Sequence, residues 1–298
     1  MTLPQAVLVT GSSSGIGRSI AETLARKGHT VLATMRNLQG KNAAAAAELQ
    51  RFARREDVPL HVFEMDVTED ASVAIGVHAA LGKAGRIDVV VNNAGVMTIG
   101  LGEALTVAQM RAMFEVNVLG AMRVNQAVLP HMRERGSGYL IYISSASGSV
   151  THPFMGMFGA TKAALGSMAE AIHFETFSLG IDTTVVQAGM VATEMRENVR
   201  ENVDDGARES LTNEYGSVGV MAQGFAGSLG PRMASPVAAR PEDIANLVAA
   251  LIDLPHGKRP LYQPTGPLAE ALGSLNDARS EAQGPVLEFM GLGPLLSR

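Results

Sequence analysis

The stretch AVLVTGSSSGIG, residues 6–17, decides the fold. A short valine-rich run ends at Gly11, and apolar residues with helical spacing begin at Ile16. A strand, a glycine turn and a helix in this order are the context of a dinucleotide-binding fingerprint. Its glycines let the backbone approach a pyrophosphate, and the helix N-terminus offers free N–H groups. A tight strand-to-helix turn without any ligand carries the same glycines, so the turn alone leaves both interpretations open.

The same alternation of apolar runs and helical spacing continues along the chain. Strands are predicted at 29–34, 60–66, 88–92, 139–143, 182–187 and 259–262, and helices at 16–27, 40–55, 70–83, 106–133, 158–178 and 241–254. Nearly continuous apolar strands that alternate with helices are typical of a parallel sheet covered on both faces. The sequence therefore predicts one α/β domain over residues 1–298, a doubly wound Rossmann fold with a mostly parallel seven-stranded sheet.

Two predictions concern the long helix at 106–133. Thr106 and Gln109 have the spacing of a capping box at its start. Pro130 predicts a kink or an early end, because proline lacks the N–H that a helix interior needs.

Two later segments depart from the alternation. Residues 191–240 are rich in glycine, methionine and short polar residues and are too long for an ordinary connection, which predicts a partly helical substrate lid. Residues 263–298 hold four prolines, a weak helix over 268–282 and the apolar end LEFMGLGPLL. We expect this tail to pack on the surface or on a neighbouring subunit.

Composition narrows the classes of function. The net charge is −5 and the 24 basic residues are scattered, so we expect neither nucleic acid nor an anionic membrane as a partner. The absence of cysteine excludes disulfides, thiolate metal ligands and thiol nucleophiles, and we expect no metal site. The N-terminal run is predicted to be a buried strand rather than a signal peptide, and the expected location is the cytoplasm.

Several motifs recur in a fixed order. They are TGSSSGIG at 10–17, Asp66-Val67, Asn92-Asn93-Ala94-Gly95, Asn117, Ser145 and Lys162. This series, with glycines spaced G-x-x-x-G-x-G, resembles the short-chain dehydrogenase/reductase family over residues 1 to about 195. The resemblance implies a nicotinamide cofactor.

The resemblance also implies which residues contact that cofactor. They are Gly11, Ser12, Ser13, Ser14, Gly15, Ile16, Gly17, Arg36, Asp66, Val67, Asn93, Ala94, Gly95, Lys162, Gly189, Val191 and Thr193. In the family the acid at the position of Asp66 bonds the adenine amino group, although a carboxylate that only caps the next helix is the alternative. Ala188 stands where relatives usually carry proline before the glycine, which should loosen that turn.

The end of the second strand bears on the choice between NAD and NADP. Residues 33–37, ATMRN, hold no carboxylate for a ribose 2′-hydroxyl, whereas the Arg36 guanidinium matches the geometry of a 2′-phosphate. We expect Ser12 or Ser13 to add a hydroxyl contact. We expect NADP(H) rather than NAD(H), with a solvated surface role for Arg36 as the alternative.

The family's reductases use Asn, Ser, Tyr and Lys, with Tyr four residues before Lys on one helix face. Asn117, Ser145 and Lys162 stand at three of these positions, but Phe158 occupies the fourth. Phenylalanine has no proton to give, so it cannot be a general acid. Three interpretations follow: a reductase altered at this position, a natural NADP-binding protein without turnover, or an enzyme with another acid such as His152.

The segment VLATMRN and the chain length resemble the branch of 17β-hydroxysteroid dehydrogenase type 1, which implies a bulky apolar ketone or alcohol as substrate. The predicted substrate pocket comprises Val96, Met97, Ser145, His152, Phe154, Met155, Met190 and Met195. Apolar side chains and adaptable methionines suit such a ligand, and ordinary core filling is the alternative. The family also pairs its two longest helices across a two-fold axis, so we expect a homodimer or homotetramer.

Overall fold

The computed structural model describes residues 3–193, 195, 205–267 and 269–296. One sheet contains β1 Ala6–Val9, β2 Thr30–Met35, β3 Leu60–Glu64, β4 Val89–Asn92, β5 Gly138–Ser145, β6 Ile181–Ala188 and β7 Tyr262–Thr265. The strand order is β3-β2-β1-β4-β5-β6-β7, and each adjacent pair is parallel. The predicted Rossmann-type fold is confirmed, with a sheet that is parallel throughout rather than mostly parallel.

Helices cover both faces of this sheet. They are α1 Gly15–Arg26, α2 Ala43–Glu56, α3 Asp70–Ala84, α4 Val107–Phe114, α5 Gly120–Arg135, α6 Gly156–Thr176, α7 Asp205–Glu214, α8 Gly216–Met233, α9 Pro241–Asp253 and α10 Ala269–Phe289. Successive strand residues point to opposite faces, so Val7 and Val9 pack with α1, α2 and α9, while Leu8 packs with α3, α5 and α6. The chain order reverses between β1 and β4, which is where open α/β sheets bind ligands.

The predicted long helix is divided in the structure. Its capping box is confirmed, because the Thr106 side chain accepts from the Gln109 N–H and the Gln109 side chain accepts from the Thr106 N–H. A π-helical turn, Glu115–Leu119, separates α4 from α5. The early end at Pro130 is wrong, because α5 continues to Arg135. Pro130 is exposed and Val128 and Met132 beside it are buried, so packing carries the helix past the proline.

The last strand lies three residues later than the predicted 259–262. Arg259 donates to Asp182 at 3.0 Å, and the Pro260 carbonyl accepts from Thr184 at 2.6 Å, which fixes the approach to β7. The strand itself contains Pro264, which lacks a donor and is tolerated because β7 lies at the sheet edge.

The C-terminal tail forms α10, which extends seven residues beyond the predicted end at 282 because Leu287 is buried near its end. The predicted start, Leu268, lies outside the described residues. Asn276 of α10 forms two reciprocal hydrogen bonds with Gln187 of β6, whose side chain is buried. The Gln187 Nε2 donates to the Asn276 Oδ1 at 3.1 Å, and the Asn276 Nδ2 donates to the Gln187 Oε1 at 2.7 Å. The tail therefore packs on the sheet of its own chain.

Within the predicted lid segment 191–240, the structure describes α7 and α8 and a parallel bridge between Val191 and Ala239. Residues 194 and 196–204 lie outside the described part. None of the described helices is long and apolar enough to span a membrane.

Candidate active site

The glycine turn after β1 has a steric origin within the protein itself. Gly11 and Gly15 have φ of +65° and +55°, in the left-handed region that favours glycine. A Cβ on Gly17 would lie 2.3 Å from the Asn93 Nδ2 and 2.4 Å from the Gly11 carbonyl oxygen. The three glycines therefore allow the turn, the next loop and α1 to approach one another closely.

The N-terminus of α1 fits a pyrophosphate. Ser14, at the N-cap, is exposed and makes no side-chain cap hydrogen bond, and the first turn holds no acidic residue. The first N–H groups of a helix have no partner within the helix and lie at the positive end of its dipole. Since this helix end lies at the β1–β4 reversal, it has the position and the chemistry to hold a phosphate.

The loop after β4 is fastened to the glycine turn. The Thr10 Oγ1 accepts from the N–H groups of Asn93 and Ala94, both at 3.0 Å. The Asn93 side chain donates to the carbonyl oxygens of Thr10 at 2.8 Å and Gly11 at 3.1 Å. Asn93 and Ala94 therefore position the glycine turn.

Arg36 and Asp66 face each other at the carboxyl ends of β2 and β3. The Arg36 Nη1 lies 3.8 Å from the Asp66 Oδ2. The other oxygen of Asp66 accepts from the N–H and the hydroxyl of Thr68 at 3.0 and 2.7 Å, in the turn that precedes α3, and it makes no cap hydrogen bond to that helix. The Ser12 hydroxyl is buried and donates to the Thr34 carbonyl at 3.0 Å. Of the two serines predicted to contact the cofactor through a hydroxyl, only Ser13 is partly exposed.

The remaining predicted cofactor residues differ in what their side chains can reach. Val67 and Val191 are buried in the core, which leaves only their backbone for a ligand. A Cβ on Gly189 would lie 2.5 Å from the Pro267 carbonyl oxygen. The Gly189 N–H donates to the Thr265 carbonyl at 2.8 Å. Thr193 lies against Gly15, because its Cγ2 would be 3.4 Å from a Cβ placed on that glycine.

Asn117 lies in the π-helical turn, within the segment for which the sequence predicts a continuous helix. Its Oδ1 accepts from the Val96 N–H at 2.8 Å, and its Nδ2 donates to the Val96 carbonyl and the Thr161 hydroxyl, both at 2.9 Å. Since the side chain is buried and fully bonded, Asn117 joins the loop after β4 to α6. π-Helical turns are frequent at functional sites.

Ser145 and Lys162 retain the polar part of the predicted catalytic set. The Ser145 Oγ, at the end of β5, accepts from the Ser147 N–H at 3.1 Å, which leaves its own proton for another acceptor. The Lys162 Nζ donates to the Ile143 carbonyl at 2.8 Å and lies 3.7 Å from where a Cβ on Gly95 would be. Burial lowers the pKa of Lys162 to about 8, because a low-dielectric surrounding disfavours the ammonium.

Phe158 lies one helical turn before Lys162 on α6 and is buried. Its ring centroid is 5.7 Å from the Lys162 Nζ. It belongs to a cluster that we call the apolar cluster, which joins the loop after β4, α4, α6 and α8. The buried members are Met97, Ile99, Met113, Phe158, Leu229 and Met233, with Val96, Met110, Ala112, Met155, Met157, Met190, Met195 and Phe225 packed against them.

The predicted pocket residues divide into two groups. Five of them, Val96, Met97, Met155, Met190 and Met195, lie in the apolar cluster. Phe154 has an unusual φ of +67°, and its ring is 5.9 Å from that of Phe225 in α8. Phe154, Ser145 and His152 are not members of the cluster, and the buried His152 Nδ1 has no hydrogen-bond partner in the described part of the chain. Met113 and Leu229 were not predicted, and only Met113 lies in a segment with predicted helical spacing.

Comparison with known proteins agrees with this geometry. The family described as short chain dehydrogenase matches residues 5–204. Retinol dehydrogenase 8 of Bos taurus is 36% identical over 203 residues, 67% of this chain and 63% of that protein. The match to the human protein covers 60% of its length, so the chain spans less than two thirds of both relatives.

Two solved structures extend the comparison. A short-chain dehydrogenase from Streptomyces avermitilis has a TM-score of 0.76 and 28% identity, with 99% of each chain covered. The closed form of serine dehydrogenase complexed with NADP+ has a TM-score of 0.69 and 27% identity, with 88% of this chain and 95% of that chain covered. Because the family match covers more than half of the sequence, this protein belongs to the short chain dehydrogenase family.

Proposed function

We propose that the protein is a cytoplasmic oxidoreductase that binds NADP(H) and a bulky apolar ketone or secondary alcohol, and that it lacks the usual proton donor. The observation that carries this proposal is the position of Phe158. It is buried one helical turn from Lys162, where the resemblance places the catalytic tyrosine.

The chain has residues for each part of the cofactor. The N-terminus of α1 would hold the pyrophosphate, Arg36 the 2′-phosphate and Lys162 the ribose of the nicotinamide. A solved relative, serine dehydrogenase, is described as complexed with NADP+, which supports this assignment. The nicotinamide would supply or accept the hydride.

Proton transfer to the substrate oxygen is the step for which the chain lacks the expected residue. Ser145 retains a hydroxyl proton that can donate to a carbonyl oxygen and orient it. Phe158 has the shape of the expected tyrosine without its hydroxyl, so this position of α6 offers no phenol that could transfer a proton. A positioned general acid contributes about 10²–10⁴-fold in rate, and we expect turnover to be reduced by about that factor.

The apolar cluster and its many methionines support this substrate class. Such side chains adapt to large and irregular apolar ligands, as the resemblance to the 17β-hydroxysteroid dehydrogenase branch also implied. The related retinol dehydrogenase 8 is named for another bulky apolar alcohol. Steroid ketones and retinal therefore form the first substrate panel.

The test is Phe158→Tyr, assayed with NADPH against this panel by absorbance. We expect cofactor binding by both forms and a rate increase of about 10²–10⁴-fold in the variant. Phe158→Leu is the matched control, since it changes the same site without adding a hydroxyl. In the Phe158→Tyr background, Lys162→Met should remove the gain. Ordinary turnover by the unmodified protein would contradict the missing-donor proposal.

His152 is a second candidate acid, because its buried Nδ1 has no partner in the described residues. If the unmodified protein turns over, His152→Ala should abolish the rate under this alternative. If neither the unmodified protein nor the Phe158→Tyr variant reacts while NADPH still binds, a cofactor-binding protein without turnover is the better description.

A further inference from the structure

Asp66 and Arg36 form a pair at the place where the two cofactors differ. Their charged atoms are 3.8 Å apart, with 53% of the Arg36 side chain and 28% of the Asp66 side chain exposed. No carboxylate follows Arg36 in residues 37–41, but the fold brings one from the end of the neighbouring strand.

Hydrogen bonds hold Asp66 by its backbone and its carboxylate, and Arg36 by its backbone. The Asp66 N–H donates to the Ser72 hydroxyl at 2.9 Å, and its Oδ1 is held by Thr68. On the other side, the Arg36 carbonyl accepts from the Asn42 Nδ2 at 2.6 Å, and the backbone then turns through Asn37 with a φ of +55°. The Asp66 Oδ2 consequently stays directed towards Arg36.

The surroundings do little to strengthen a 2′-phosphate site. The Ser12 hydroxyl donates to Thr34 and is buried. Besides the partly exposed Ser13, recognition of the phosphate therefore depends on the Arg36 guanidinium, which already has a carboxylate neighbour. A phosphate dianion would compete with Asp66 for Arg36 and would be repelled by the same carboxylate, whereas a 2′-hydroxyl would meet neither cost.

We propose that Asp66 is a specificity-determining residue that weakens the preference for NADP(H) over NAD(H) through its pairing with Arg36. This inference rests on the proposed function, since it concerns the cofactor of the same site. Asp66 acts mainly as a positioning residue, and any bond it makes to adenine would affect both cofactors equally. The protein should therefore bind both, with a modest preference for NADPH.

The experiment measures dissociation constants for NADPH and NADH by fluorescence titration. The variants are Asp66→Asn, Arg36→Ala and the double variant. Asparagine keeps the oxygen that Thr68 bonds and removes the charge. We expect Asp66→Asn to raise the NADPH preference, expressed as the ratio of the two constants, by roughly two- to fivefold, the range for an exposed ion pair. In the Arg36→Ala background the increase should shrink.

Two controls separate the possible causes. Glu64→Gln removes an exposed carboxylate two residues away and should leave the ratio unchanged. Asp66→Ser is the second variant should asparagine disturb folding, because a serine hydroxyl can accept from the same turn.

The outcomes are distinguishable. If the unmodified protein binds neither cofactor, the proposed function and this inference both fail. If it binds NADPH but both Asp66 variants change the NADPH and NADH dissociation constants equally, Asp66 contacts only the adenine that both cofactors share. In that case this inference alone is overturned.

Discussion

The Phe158 ring centroid lies 5.7 Å from the Lys162 Nζ, and the same nitrogen donates to the Ile143 carbonyl at 2.8 Å. A buried ammonium thus has an aromatic ring and a carbonyl oxygen as neighbours. The pKa of Lys162 falls to about 8 because burial outweighs these contacts. The charge required at this position is therefore a cost to the folded protein near neutral pH.

The first prediction concerns the pH dependence of stability. In the unfolded chain the pKa of Lys162 is about 10.4, whereas in the folded chain it is about 8. The unfolded chain therefore binds more protons between these values, and the free energy of unfolding increases as the pH rises from 8 to 10. We expect the free energy of unfolding of the unmodified protein, relative to Lys162→Met, to increase by about 2 kcal/mol from pH 7 to 10. Urea unfolding at both pH values measures it.

Lys83 provides the control for this measurement, since it is an exposed lysine on α3. A similar pH-dependent difference for Lys83→Met would show that burial is not the cause.

The second prediction concerns the glycine turn. A Cβ at Gly17 would lie 2.3 Å from the Asn93 Nδ2 and 2.4 Å from the Gly11 carbonyl oxygen, the latter being backbone that cannot rotate away. Gly17→Ala should therefore destabilise the protein by about 1–3 kcal/mol, the range for overpacking, and weaken NADPH binding. Thermal unfolding and fluorescence titration measure the two effects.

Gly82 on α3 is the matched control, because a Cβ there meets no atom within 4 Å. Gly82→Ala should increase stability by roughly 0.5–1 kcal/mol. Equal effects of the two substitutions would contradict the steric explanation of the turn.

The third prediction is a homodimer or homotetramer formed through α5 and α6, as the family resemblance implied. Leu119, just before α5, and Met122 on it are exposed by 45% and 36%, and Ala163 on α6 is also exposed. Light scattering should give a multiple of 31.2 kDa, and Leu119→Asp should lower that mass. Leu254→Asp, at an exposed leucine after α9, should not. A single-chain mass for the unmodified protein would rule out this assembly.

The central fold was predictable because its signals are local. β1 and β4 are short apolar runs, and Gly11 to Gly17 fixes the first connection. β3 and β6 include polar residues, but each of them follows a helical pattern along the chain. The Lys162 and Phe158 spacing likewise follows from helical periodicity, which places both residues on one face of α6.

Other features depend on contacts between distant segments. The pairing of Arg36 with Asp66 comes from the register of β2 and β3, and no local pattern indicates it. Pro264 obscured the last strand, and the apolar periodicity of α4 and α5 continues through the π-helical turn without a visible break. The left-handed conformation of Phe154 is also unexpected for a bulky residue.

The reciprocal hydrogen bonds between Gln187 and Asn276 have a consequence for how this sequence can diverge. The family match ends at residue 204, before the helix that supplies Asn276. The Gln187 Nε2 also donates to the Ser149 Oγ at 2.7 Å, but replacement of either amide leaves a donor and an acceptor of the other without that partner. Among relatives that share the C-terminal helix, these two positions should therefore change as a pair, although 89 residues separate them along the chain.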